Sequence, residues 1–420
     1  MDSSSSSELT VKPAPSVAQT IVAPLRQLAV WGPGILVMLA DSDAGNVITA
    51  AQSGSQWGYR LLPLLLLLIP GLYMVQELTV RLGIFTGHGQ GTLIRKHLGP
   101  VWAWLSLANL ALAVTGTLVT DLTGIAGVGE MYGVSHGVSL GLAVGAILLV
   151  VITGSYRRTE RAALVIGLFE LAFFIVAWKS HPDAATVLTQ AVDIPFGNSG
   201  FLYLAAALVG AVFNPWMVFY QQAAVVEKGL LPEDHRSERW DTAIGAVLTQ
   251  LLTAAVLVAA ATLLQGSSSG LTSVGDISDA LAPALGYDIA KPVFAAGVLG
   301  AAMVAIIVAS LSLAWGFGEV TGRERQTKPF YIVYALCLCT AALVVGFSGD
   351  LVRLIIAAQA LNAFLLPMVL GCLLLLARKA LPEPVRLRGW GWGAALAGSA
   401  IIILLGLTGG VAGLLSLGGS

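Results

Sequence analysis

Asp41, Asp43 and Asn46 place three oxygen-bearing side chains inside an otherwise apolar run, Gly32-Pro-Gly-Ile-Leu-Val-Met-Leu-Ala-Asp41-Ser-Asp43-Ala-Gly-Asn46. A carboxylate at the centre of a bilayer costs roughly 2.5–3.5 kcal/mol on insertion scales, so such a group is paired, hydrated or functional. Gly45 holds a helix poorly, and Asp and Asn compete for their own backbone. The stretch 41–46 therefore reads as a break in a membrane-spanning helix, where freed carbonyls and acidic side chains converge on a cation. The alternative is a kinked helix with Asp41 and Asp43 near an aqueous end, a short way past Trp31.

A second interruption lies at Gly210-Ala-Val-Phe-Asn214-Pro215-Trp216-Met217, where Pro215 removes a backbone donor. Taken alone it reads as an ordinary proline kink. Gln359 and Asn362 stand three apart near Pro367, placed to line a site or to bond a neighbouring helix. Asp121, flanked by Thr120 and Thr123, is a second carboxylate suited to a watery path; Glu170 has no obvious partner. Glu77 and Arg81 are spaced for an ion pair across one helical turn.

The elements that carry these residues must cross a membrane. Of 420 residues, 56% are hydrophobic and 11% charged, and mean hydropathy is +0.84. That excludes a soluble domain, and apolar runs of about 20 residues favour helices over a barrel. They fall near 29–50, 60–82, 101–128, 137–154, 160–178, 200–227, 241–265, 291–318, 329–347, 351–377 and 389–416, which makes eleven spans. Of the 22 lysines and arginines, all but Arg60, Lys179, Lys291 and Arg353 then fall on the side of the amino terminus. The positive-inside rule makes that side cytoplasmic.

Residues 1–25, with a serine run, Pro13 and Pro15, read as a disordered tail lacking the features of a signal peptide. The remainder, 26–420, reads as one transmembrane domain. The two interruptions occupy corresponding spans, the first and sixth, of two five-helix sets, about 26–180 and about 199–378, with an extra helix at about 388–416. Paired breaks of this kind point to a midplane site between inverted repeats.

Other chemistries find little support. Cys337, Cys339 and Cys372 lie in apolar runs without Cys-x-x-Cys spacing, and the five histidines lie in or near loops. Gly87-His-Gly-Gln-Gly91 lacks the strand and helix of a phosphate cradle. No basic stripe suggests nucleic acid, and no Ser/Lys pair or His-Glu-x-x-His motif suggests an intramembrane enzyme.

Gly32-Pro-Gly with Asp43-Ala-Gly-Asn46, then Gln52-Ser-Gly-Ser-Gln-Trp-Gly-Tyr, Arg81-Leu-Gly-Ile-Phe-Thr-Gly and Thr120-Asp121-Leu resembles the Nramp divalent-metal transporters across spans one to ten. The resemblance implies an all-helical polytopic protein with an inverted-repeat core of the APC/LeuT type and broken helices one and six. The family's Asp-Pro-Gly-Asn, whose Asp and Asn bind metal, corresponds to Asp43-Ala44-Gly45-Asn46. Its Ala-x-x-Met-Pro-His corresponds to Ala211-Val-Phe-Asn214-Pro215-Trp216, so the Ala with the liganding carbonyl is kept while Met becomes Asn and His becomes Trp. The family's Glu three residues after the span-three Asp is Gly124 here.

A thioether suits transition metals, whereas an amide oxygen suits hard ions such as Mg²⁺ and Mn²⁺. The resemblance is thus nearest to the Nramp-related magnesium transporters, which lack proton coupling. It implies a metal site at Asp43, Asn46, Ala211 (carbonyl) and Asn214, to which the polar Gln359 of span ten adds a further contact, with the ion as cargo and no resident cofactor. The expected setting is a bacterial inner membrane, the expected form a monomer. The alternatives are a proton-coupled Mn²⁺/Fe²⁺ importer, a sodium-coupled carrier of a small organic solute, and a non-transporting metal sensor.

Overall fold

The computed structural model describes residues 32–153, 165, 168–264, 271, 273–279, 286–322 and 328–417. The expected tail, 1–25, lies outside the described residues, as does most of the loop that leads into the fifth span. Among the described residues every regular element is helical. This is what low charge and long apolar runs demand, since a helix satisfies its own backbone away from water.

The first span is two helices, α1 (Pro33–Asp41) and α2 (Ala44–Trp57). A 3-10 turn, Gly58–Leu61, leads into α3 (Leu62–Thr86). After a short helix, α4 (Gln90–His97), come α5 (Pro100–Met131), α6 (His136–Thr153), α7 (Ala172–Lys179) and α8 (Ala184–Val192). The sixth span is again divided, into α9 (Ser199–Val212) and α10 (Pro215–Glu227). Then follow α11 (His235–Leu264), α12 (Tyr287–Thr321), α13 (Lys328–Gly346), α14 (Leu351–Lys379) and α15 (Trp390–Leu417).

Eight stretches of the described residues are long and apolar enough to cross a bilayer, fewer than the eleven read from hydropathy. The difference has local causes. The 3-10 turn fuses α2 and α3 into one stretch, α6 contributes a shorter apolar segment (His136–Val151), and the fifth span runs through residues that are not described.

The two divided spans form the centre. α1 packs against α11, α12 and α10; α2 packs against α11, α9, α5 and α14; α9 packs against α14 and α15. Small residues let these helices come close. A Cβ at Gly210 would lie 2.8 Å from the Ala363 backbone nitrogen and overlap the Gln359 carbonyl, so α9 and α14 touch backbone to backbone there. The lateral surface is apolar, as Leu67, Leu142, Leu149, Leu336 and Leu404 show.

Candidate functional site

Both interruptions are present, and the first is narrower than the sequence suggests. Only Ser42 and Asp43 are non-helical; Gly45 and Asn46 already belong to the first turn of α2. The reason is capping. Asp43 is extended (φ −68°, ψ 173°) and accepts the Asn46 backbone N–H at 2.7 Å, so α2 restarts at once. At the second interruption Asn214 is extended (φ −64°, ψ 125°) and Pro215 opens α10, where its missing N–H costs nothing. Pro215 stands four residues after Ala211, so the Ala211 carbonyl has no helical donor.

Asn46 bridges the first break: its Nδ2 donates to the Asp41 carbonyl at 3.0 Å. Its Oδ1 accepts from the Thr253 hydroxyl of α11 at 3.2 Å. That hydroxyl has one proton and also lies 2.9 Å from the Thr249 carbonyl, so its hold on Asn46 is shared. Ser42 Oγ and Thr249 Oγ1 are 2.7 Å apart, tying the break to α11.

Asn214 is held from α5. Its Nδ2 donates to Thr117 Oγ1 at 3.1 Å, and the Trp216 indole N–H donates to the same oxygen at 2.9 Å. With its donor end occupied, Asn214 Oδ1 has no hydrogen-bond partner among the described residues. Neither carboxylate oxygen of Asp41 or of Asp121 has one either. Buried polar atoms left this way cost roughly 1–3 kcal/mol each when neutral and more when charged. Oxygens that no described residue answers are what a visiting cation or its water shell would answer.

α5 and α14 close the site around the first break. A Cβ at Gly45 would lie 2.9 Å from Thr120 Cβ and would overlap Gln359 Nε2. A Cβ on Gly124 would overlap Ala44 Cβ and lie 3.3 Å from Val298 of α12. Asp121 comes up beside the Ala44 amide, short of a hydrogen bond. Glu170 packs against Gly297 of α12, next to Val298, with Oε1 unpartnered among the described residues. Glu77 pairs with Arg81 at 2.5 Å as its spacing predicts, and also meets His235 at 3.3 Å and Arg239 at 3.6 Å.

Gln359 departs from its expected part. Its Oε1 accepts from Asn362 Nδ2 at 3.0 Å, and the end it turns toward Gly45 is the Nε2 donor, which repels a cation. Reversing both amides together keeps that one bond and brings the Gln359 oxygen to the break, so Gln359 serves an ion only in the reversed arrangement.

Asp43 is 2% exposed, Asn46 0% and Asn214 2%. All three side chains are therefore buried from solvent. A cavity of about 600 Å³ opens elsewhere, between α4 and α12, with Arg95, Lys96 and Trp315 in its wall; no break residue lines it. Among the described residues no three His, Cys, Asp or Glu side chains gather as a metal cluster. The polar atoms at the two breaks are instead carboxylate, amide and backbone oxygens.

Sequence reasoning missed the groups that brace the site, Thr117, Thr249 and Thr253, and Asp241, whose Oδ2 accepts the N–H groups of Gly32, Gly34 and Ile35 at the start of α1. The first three are threonines in apolar helices, and only tertiary contact reveals them. Asp241 carries a stronger signal, an acid entering an apolar span.

Residues 34–412 match the family model described as natural resistance-associated macrophage protein-like. Among curated relatives, a divalent metal cation transporter MntH of Aeromonas hydrophila is 28% identical, with 86% of this chain and 90% of the relative covered. MntH 1 of Pseudomonas aeruginosa is 31% identical, with 83% of each covered. Among solved structures, a manganese transporter of Eremococcus coleocola matches with a TM-score of 0.76 at 18% identity, over 95% of this chain and 88% of that one. Mhp1, a nucleobase-cation symporter in a closed conformation, matches with a TM-score of 0.59 at 15% identity, over 92% and 91%.

Proposed function

Because the chain belongs to the Nramp family, we propose that it carries divalent metal ions across the cell membrane, Mg²⁺ before Mn²⁺, by alternating access to a site between its two helix breaks. Asp43 supplies the dominant charge, Asn46 and Asn214 supply amide oxygens, and Ala211 supplies a carbonyl. Gln359 joins after its amide reverses. The likeness to named metal transporters supports the ion class.

The observation that carries the preference is the free Oδ1 of Asn214, fixed in direction by Thr117. An amide oxygen binds a hard ion directly or holds one of its waters, whereas a thioether favours softer metals. Transport is not coupled to protons. Trp216 spends its N–H on Thr117, and the space beside Gly124 is filled by Ala44 and Val298, so neither position holds a titratable group. A second reading, Mn²⁺ uptake with protons, is favoured by one observation: Asp121 is buried, unpartnered among the described residues and adjacent to the break. The protein acts as a monomer with its amino terminus in the cytoplasm.

Flux into proteoliposomes tests this, with Mg²⁺, Mn²⁺ and Cd²⁺ in competition and a pH dye inside. The parent chain should move Mg²⁺ and Mn²⁺ with no acidification that scales with uptake. Asn214→Met should lower Mg²⁺ flux relative to Mn²⁺ about tenfold, the worth of one charge-assisted contact, and admit Cd²⁺. An unchanged Mg²⁺ to Mn²⁺ ratio would remove Asn214 from the site. Acidification proportional to Mn²⁺ entry would establish the second reading.

A further inference from the structure

We propose that the cavity between α4 and α12 binds the phosphate of an anionic lipid headgroup from the cytoplasmic leaflet, held by Arg95, Lys96 and Thr92. The site is separate from the two helix breaks, and its occupancy does not depend on which ion the protein carries.

The cavity has about 600 Å³ of room, within the range of pockets that hold small molecules. Thr92, Arg95 and Lys96 of α4 form one wall; Trp315, Glu319 and Gly322 at the carboxyl end of α12 form the other. Arg95 is fixed there by backbone. Its Nη1 donates to the Val320 carbonyl at 3.2 Å, and a Cβ on Gly322, where φ is 68°, would lie 2.9 Å from the same nitrogen. The last carbonyls of a helix attract a cation, so α12 places Arg95 without an acid. The rest of its fork and Lys96 Nζ have no hydrogen-bond partner among the described residues. Glu319, the acid in the wall, is turned to the start of α4. There its Oε2 accepts the Gly91 N–H at 2.8 Å, and a Cβ on Gly89 would overlap the carboxylate.

A wall with two cations repels a divalent metal, so the cavity is no branch of the ion's path. The field around it is positive as well. Burial, with Lys96, Lys379 and His88 nearby, holds the His97 imidazole below its usual range. What meets such a wall is an anion. Phosphate suits it, because a guanidinium and an ammonium give it charge-assisted hydrogen bonds and the Thr92 hydroxyl can add one more. The level of the cavity selects the source. α4 belongs to the connection 87–99, which the distribution of basic residues places in the cytoplasm. Trp102 and Trp104, 50% and 56% exposed at the start of α5, stand where tryptophans mark a membrane boundary. Basic pockets between spans at that boundary take anionic headgroups. Bound there, the phosphate ties α4, the link between the second and third spans, to the end of α12.

The test is lipid retention by the full-length protein in detergent, counted by native mass spectrometry during titration with phosphatidylglycerol or phosphatidylcholine. The parent should keep phosphatidylglycerol at concentrations where phosphatidylcholine is lost; equal retention of the two would overturn the proposal. Lys96→Gln removes an exposed cation that bonds no other part of the described fold. Thr92→Trp fills the cavity and leaves both cations in place. Each should weaken phosphatidylglycerol retention at least about tenfold, the worth of a hydrogen bond to a charged group. Arg388→Gln, an equal loss of charge at an exposed position of the cytoplasmic connection 380–388, should leave retention unchanged. Parent-like retention in both cavity variants would overturn the site. Equal weakening by Arg388→Gln would do the same, because diffuse surface charge would then account for the binding. Millimolar inorganic phosphate should not displace the bound lipid. Displacement would give the cavity to a soluble phosphate and overturn the lipid source.

Discussion

Asp43→Ala is expected to reduce divalent flux in proteoliposomes below about a hundredth of the parent rate, in protein that still purifies as a monodisperse species. The side chain has two tasks, and they differ in size. As the cap of α2 it accepts the Asn46 N–H, and losing a cap costs about 1 kcal/mol, which a helix packed on five neighbours survives. In the proposed transport role its charge faces a divalent ion that has surrendered water. At 4 Å and an effective dielectric constant near 20, that attraction is roughly 8 kcal/mol. Asp43→Ser separates the tasks, because serine caps as well as aspartate but brings no charge. It should fold like the parent and carry no more ion than the alanine variant. Asn46→Ala should weaken transport less, since an amide dipole is lost rather than a charge. Parent-like Mg²⁺ flux in both Asp43 variants would move the site elsewhere, with Asp121 the first place to look.

Gly210→Leu should abolish the folded state, seen as loss of the monodisperse peak on size exclusion, and Gly210→Ala should lower the thermal midpoint without necessarily stopping transport. The side chain would have to occupy space held by the Gln359 carbonyl and the Ala363 nitrogen, which are helix backbone and cannot rotate aside. Overpacking of a well-filled interior typically costs 1–3 kcal/mol for a modest insertion and more when backbone must move. The contact has a functional side as well. It sets the height of Gln359 against the first break, so the alanine variant should also alter ion affinity. If Gly210→Leu keeps the parent's elution and melting behaviour, α9 and α14 do not meet at this point.

Much of this was legible because the informative residues interrupt a monotonous background. Asp43 and Asn46 are costly in a membrane helix, so their presence announces the first break; Pro215 alone reads as a kink, and only its place in the corresponding sixth span raises it to a second break. The Ala211 carbonyl is legible from the family resemblance alone, and Pro215 four residues on supplies the physical reason that it lacks a helical donor. The width of the first break was overstated, because the same Asp43 that breaks the helix also caps the next one. Thr117 and Thr253 look like many other threonines in apolar spans, and nothing local says that one aims Asn214 and the other leans on Asn46. The donor end that Gln359 turns to Gly45 depends on its bond to Asn362, a pairing that spacing permits without choosing its direction. Asp241 could have been questioned as an acid entering an apolar helix, but the backbone donors it serves lie some two hundred positions earlier.

The near contact of Gly124 and Ala44 bears on how such a carrier could acquire a further titratable group. Placing an acid at position 124 alone would drive a side chain into the residue that starts α2, immediately after Asp43. The two positions are therefore epistatic: neighbours that share one volume do not change independently. Selection for proton-driven uptake, applied to a mutant library of this chain, would be steered away from single substitutions at 124 and toward double changes that include 44, or toward recruiting Asp121 in place.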